Sequence, residues 1–221
     1  FMRHIQGEGL GDFAALYDDD VEIITMAAAR RSKGAWQLSE DSLRGLNFTE
    51  RWIQPVDDQQ SPEAVLRRHL PVKEARAIAE ELGVAIDLLG HLLACPLVGL
   101  RMGTLAGPMC PRFHVDNVKC RLVSTYFGPG MQWLPNNSVN RSKLGMINHG
   151  IDDEKSGIFE SKNDIKQLDL GDVAFLKGDA WSGNAGLGAV HRSPHSQKNY
   201  KRMYVRIDFS DIKLNRRYFN D

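Results

Sequence analysis

Pro96 divides this chain into two patterns, and the division constrains the fold more than any other feature. Before it, apolar residues recur at helical spacing. KEARAIAEELGVAIDLLGHLLA, residues 73–94, sets Ala75, Ile78, Leu82, Ala85, Ile86, Leu89 and Leu93 on one stripe and predicts an amphipathic helix. Cys95-Pro96 should end it, because the residue before a proline avoids the helical region. Ser61-Pro62-Glu63 marks an earlier helix start: a capping hydroxyl, a proline suited to the first turn and an acid at the positive end of the dipole. VEIITMA, residues 21–27, is a candidate strand, and residues 28–60 give no clear element.

Beyond Pro96 the runs shorten and glycines multiply. LVGLRMGTL (97–105), FHVDNVKCRLVSTYF (113–127), DVAFLKG (172–178) and KRMYVRIDF (201–209) read as strands. Gly128-Pro129-Gly130, Pro135-Asn136-Asn137 and residues 183–188 supply turns, and residues 136–165 read as a polar loop. The expected class is α+β. A mainly helical part, 1–96, packs on a jelly-roll or sandwich part, 97–221, and no linker separates them, so they form one fused unit.

Lysine plus arginine equals aspartate plus glutamate at 28 each, so no global field favours nucleic acid or an anionic membrane. No apolar run approaches the roughly 20 residues of a membrane helix. FMRHIQGEGLGDF lacks the apolar stretch of a secretory signal. Cys95, Cys110 and Cys120 are too few for a disulfide framework, so a reducing, cytoplasmic setting is expected. Cys110 and Cys120 bracket His114, but no C-x-x-C spacing supports a cysteine zinc site.

The stretch PRFHVD, 111–116, carries the chemistry. In a strand, residues i and i+2 share a face, so His114 and Asp116 would converge while Phe113, Val115 and Asn117 face away. An imidazole and a carboxylate so placed hold one side of a metal. GAVHRSPHSQ supplies two candidates for a third ligand, His191 and His195. His191 is favoured because it follows the apolar pair Ala189-Val190 and precedes a turn at Arg192-Ser193-Pro194. Two histidines and one carboxylate on one face of an iron leave open positions for substrate and oxygen.

The order H-x-D, a Gly-Asp turn with a strand, a histidine, then a strand carrying arginines resembles the iron(II)/2-oxoglutarate-dependent oxygenases. The runs FHVDNVKCRLVSTYFGPGMQWLPN, GDVAFLKGDAW and VHRSP resemble a family catalogued as a domain of unknown function, number 1826. The resemblance implies a double-stranded β-helix core of cupin-like kind. It implies a non-heme iron dioxygenase, a hydroxylase or demethylase of unknown substrate. Iron(II) would be held by His114, Asp116 and His191, with zinc or nickel as substitute metals, and 2-oxoglutarate would be anchored by a basic residue past the second histidine. Arg202 lies 11 positions after His191 and Arg206 11 after His195; Lys177 is a further candidate. The alternative is a non-catalytic or zinc- or nickel-binding jelly-roll module.

One feature resists that assignment. In KRMYVRIDF, Arg202, Tyr204, Arg206 and Asp208 share one face and Met203, Val205, Ile207 and Phe209 the other. An inward apolar face would turn both arginines outside unless a bulge or a local inversion intervenes. Tyr126 and Trp133, flanking the Gly-Pro-Gly turn, and Asn117 are the substrate-side candidates; core packing is the competing reading for the two aromatics. His91, in the long helix, reads as a core histidine, and the clusters Arg30-Arg31 and Arg216-Arg217 as solvated.

Overall fold

Alternation and helical periodicity set the element boundaries. The computed structural model describes residues 2–27, 45–58, 60–145, 150–194 and 201–210. Strand β1 (Arg3–Gly7) leads through a 3₁₀ helix (Leu10–Tyr17) to β2 (Val21–Met26) and β3 (Thr49–Pro55). Helices α1 (Ser61–Leu66) and α2 (Val72–Leu92) follow. Then come β4 (Leu97–Leu105), β5 (Cys120–Phe127), β6 (Gln132–Leu134) and the short helix α3 (Asp153–Ser156). Strands β7 (Lys166–Gln167), β8 (Val173–Lys177), β9 (Val190–Arg192) and β10 (Arg202–Ser210) complete the fold. The class is α+β, mostly sheet.

A larger sheet has the order β1-β2-β8-β5-β10-β4-β3 and a smaller one the order β7-β6-β9. Among the described residues only the edge pair β1–β2 of the larger sheet is parallel. The described residues before Pro96 are therefore not a separate helical layer. They contribute β1 and β2 to one end of the larger sheet and β3 to the other. β1 and β3 are edge strands with mostly half-buried or exposed residues, so their apolar alternation is weak. Strands from before and after Pro96 interleave in one sheet.

The strand expected over 113–127 begins only at Cys120. Residues 113–119 form an irregular connection, in which His114 makes one isolated bridge to His191. The expected loop 136–165 carries short 3₁₀ turns and α3.

Each face of the larger sheet has its own partner. Met203, Val205, Ile207 and Phe209 of β10 join Leu122 of β5 and Phe175 of β8 beneath Ile78, Leu82, Ile86 and Leu89 of α2. Burying each such side chain contributes about 1.5–3 kcal/mol. On the opposite face, Ile23, Ala174 and Leu176 meet Met131, Trp133 and Ala189, whose segments belong to or adjoin the smaller sheet. α2 ends where the Cys95 amide donates to the Gly90 carbonyl at 2.8 Å and Ala94 adopts a left-handed φ of 51°. His91, expected in the core, is exposed, and its Nδ1 meets the Asp87 carbonyl at 2.7 Å. Among the described residues no helix is long and apolar enough to cross a membrane.

Candidate metal centre

His114 and His191 reach one another through backbone pairing. Each N–H donates to the other's carbonyl at 3.0 Å, which extends the smaller sheet by one residue and sets the two rings 4.5 Å apart. Asp116 lies two residues beyond His114. Its Oδ2 is 3.0 Å from His191 Nε2 and its Oδ1 3.7 Å from His114 Nε2. Ligand atoms of all three side chains fall within 4.8 Å of one another.

The outer ring nitrogens fix the tautomers. His114 Nδ1 donates to the Arg112 carbonyl at 2.8 Å and His191 Nδ1 to the Ala189 carbonyl at 3.1 Å. A carbonyl can only accept, so each Nδ1 carries a proton and each Nε2 is turned toward the carboxylate. Two imidazole Nε2 atoms and a carboxylate then converge, an arrangement that a cation satisfies by taking the place of any proton between them. Burial, and next the neighbouring His191, push His114 down to about 4, so it stays neutral near pH 7. Burial pushes Asp116 up, but His191 and the Arg121 guanidinium outweigh it and hold the carboxyl well below its usual range. The donor set fits a divalent first-row metal with open positions on one side.

Among the expected anchors, Arg202 and Arg206 both line the cleft of about 60 Å³ beside the histidines, with Arg121, Tyr204, Cys110 and Met131. The polar face of β10 looks into the chemistry, because α2 covers the apolar face. Arg202 is buried and donates to the Thr125 hydroxyl from Nε at 3.3 Å and from a terminal nitrogen at 3.1 Å. It reaches Ser193 Oγ at 3.4 Å. Lys177 does not join them. It lies on the α2 side of the sheet, where its Nζ donates to the Asp18 carbonyl at 2.8 Å and stands 5.0 Å from the centre of the Trp181 ring.

The substrate-side candidates are dispersed. Tyr126 packs in the α2-side core. It is the extra residue where the β5–β10 register shifts between Met203 and Tyr204. Trp133, opposite His191 in the β6–β9 pairing, faces the space between the sheets but packs on the apolar cluster and on His4, 4.6 Å away. Asn117 is exposed and does not line the cleft. His195, the Arg30-Arg31 pair and the Arg216-Arg217 pair lie outside the described residues.

Two buried networks were not anticipated. Arg121 of β5 contacts Asp116 directly and clasps Asp208 through Nε at 2.5 Å and a terminal nitrogen at 3.2 Å. Arg206 reaches the same Asp208 at 3.2 Å. Only the strand register reveals the pairing: Arg121 stands directly opposite Asp208 across β5 and β10. In the second network, Arg192 donates to Asp153 and Glu154 of α3, each at 3.0 Å, and to Gln132 at 2.9 Å. Asp153 also accepts the Phe113 amide at 2.8 Å, so one carboxylate ties the segment before His114 to the residue after His191.

Residues 7–208 match the model of the DUF1826 family, described as a protein of unknown function. No curated protein matches the sequence. Among solved structures, the rice dioxygenase for auxin oxidation is similar over 95% of this chain and 83% of its own, with 14% identity and a TM-score of 0.51. Dioxygenase for auxin oxidation 1 from Arabidopsis thaliana, solved in a binary complex with 2-oxoglutarate, is similar over 100% of this chain and 98% of its own, with 11% identity and a TM-score of 0.53. The chain shares the jelly-roll fold of these oxygenases.

Proposed function

The chain belongs to the DUF1826 family, and we propose that it is an iron(II)/2-oxoglutarate-dependent oxygenase, a hydroxylase or demethylase. The observation that carries this reading is the convergence of His114 Nε2, His191 Nε2 and the Asp116 carboxylate at the rim of an arginine-lined cleft. The fold shared with the auxin dioxygenases supports it, and we read the two facing sheets as a double-stranded β-helix. The three free cysteines accord with a reducing, cytoplasmic setting.

His114, Asp116 and His191 would hold the iron, with zinc or nickel as substitutes. When bound, iron(II) supplies the chemistry that couples decarboxylation of the keto acid to oxidation of a substrate. The chain's own residues do the positioning. The Arg112 and Ala189 carbonyls hold each imidazole by its outer nitrogen, and Arg121 keeps Asp116 ionised and oriented. Arg202 presents its planar fork for the distal carboxylate of 2-oxoglutarate, steadied by the Thr125 and Ser193 hydroxyls.

The test is anaerobic loading with iron(II), followed by 2-oxoglutarate and oxygen. Consumption of 2-oxoglutarate that depends on iron and on His191 is the expected result. Absence of consumption, together with stability unchanged by a chelator, would instead favour a non-catalytic jelly-roll module. A crystal soaked with both ligands should place the three side chains at about 2.0–2.2 Å from one ion.

A further inference from the structure

Two buried donors that line the metal cleft have no acceptor. Tyr204 and Arg206 stand two positions apart on the polar face of β10, and both line the cleft together with His114 and His191. Tyr204 is 4% exposed, and its buried hydroxyl makes no hydrogen bond. The Arg206 Nε is also buried without a hydrogen bond, although a terminal nitrogen of the same guanidinium reaches Asp208 at 3.2 Å. Leaving a buried donor unsatisfied costs about 1–3 kcal/mol, and more where it is charged.

The neighbours cannot supply what is missing. Burial pushes the Tyr204 phenol up, against the pull of the Arg101 and Arg206 guanidiniums, so the oxygen keeps a proton to donate. The Arg202 guanidinium stands 5.8 Å from the centre of the same ring. Guanidiniums only donate, so none of the three can accept from the phenol. Their field does favour an acceptor that is negative over one that is neutral. Met109, Val123 and Met131 add apolar surface to the same cleft. Arg206 is tied to the metal centre through Asp208, which Arg121 clasps while contacting Asp116.

We propose, resting on the oxygenase reading above, that the substrate is a small carboxylic acid whose carboxylate accepts from the Tyr204 hydroxyl and the Arg206 Nε in the metal cleft. The two donors match the two oxygens of a carboxylate. A phosphate would bring a third oxygen and more negative charge, for which the pair has no further donor. The carbon body of the acid lies on the methionine and valine surface, on the way to His114 and His191. Arg202 remains with 2-oxoglutarate, held on Thr125 and Ser193.

The test titrates butyrate into the full chain by calorimetry, once metal-free and once loaded anaerobically with iron(II) and 2-oxoglutarate. Y204F removes one oxygen and keeps the ring in its packing, so it is the variant least able to disturb folding. It should weaken butyrate binding by about tenfold or more, the loss of one hydrogen bond to a charged group, with iron stoichiometry and 2-oxoglutarate affinity unchanged. R206Q should weaken butyrate to a similar degree, and butanamide, which lacks the charge, should bind wild type more weakly than butyrate does. Absence of butyrate binding, or equal binding by wild type and Y204F, would overturn the proposal. So would equal binding of butanamide, or tighter binding of inorganic phosphate. A matching loss of 2-oxoglutarate affinity in Y204F would also overturn it, by giving the phenol to the co-substrate. If butyrate binds through Tyr204 but iron and 2-oxoglutarate do not bind, the acid site stands and the oxygenase reading falls. If iron and 2-oxoglutarate bind and butyrate does not, the reverse holds.

Discussion

Arg192 and Asp153 form an ion pair at 3.0 Å in which each side chain is only 2% exposed, and Asp153 also holds the amide of Phe113. This buried contact fastens together the segments that bear His114 and His191. Asp153→Ala leaves the Arg192 guanidinium with one fewer counter-charge in the interior. It should destabilise the chain by about 3–5 kcal/mol in urea unfolding and weaken iron(II) affinity, although Asp153 is not a ligand. Unchanged unfolding would mean that the pair does not bind the two segments.

Asp116→Ala should abolish iron(II) binding. The variant removes the only carboxylate of the triad and leaves Arg121 pointing at the two imidazoles, with Asp208 as its remaining partner. Anaerobic metal analysis should find substoichiometric iron. Stoichiometric iron in a folded variant would refute the ligand assignment.

Arg202→Gln should raise the 2-oxoglutarate dissociation constant by roughly 10- to 100-fold, since hydrogen bonds to charged groups contribute about 1.5–3 kcal/mol. Iron stoichiometry should not change, because the hydrogen bonds described for Arg202 run to Thr125 and Ser193. Calorimetry on the iron-loaded protein measures this. A larger effect from Arg206→Gln than from Arg202→Gln would transfer the anchor to Arg206.

Glu22 gives a stability signature in pH. Burial pushes its carboxyl from 4.5 up to about 7, against the Asn136 amide that donates to it and Arg141 at 3.8 Å. The folded state therefore holds the proton more tightly than the unfolded chain does. The contribution is fully present below about pH 4.5, falls as pH rises to 7 and is level above that. The loss is on the order of 3 kcal/mol. Glu22→Gln should remove this slope, so the difference between variant and wild type in urea unfolding should grow in the variant's favour across that window. A constant difference would refute it.

The sequence revealed periods better than it revealed sides. α1, α2, β4, β8 and β10 stand near their expected positions because strong apolar patterns define them. The alternation in β10 separated the four polar from the four apolar residues, yet not which set faces the site. That depends on α2, which covers Met203, Val205, Ile207 and Phe209 and leaves the arginines to the cleft. For the same reason the sequence left Tyr126 open between pocket and core, and offered Lys177 as an anchor although it lies on the α2 side. His114 and Asp116 converge through an irregular connection instead of a strand, since the chain must leave the smaller sheet at His114 and enter the larger at Cys120. Arg121 was legible only with the register against Asp208 in hand.

The two-sidedness of β10 has a consequence for how this protein tolerates change. Along one strand, odd and even positions answer to different demands: Met203, Val205, Ile207 and Phe209 to the apolar layer under α2, Arg202, Tyr204, Arg206 and Asp208 to the polar layer around the cleft. A scan of that strand should split by parity into variants that lose stability through packing alone and variants whose main loss is of metal or co-substrate binding, with Asp208, buried against Arg121, losing both. A one-residue slip would exchange the two populations and forfeit both properties at once.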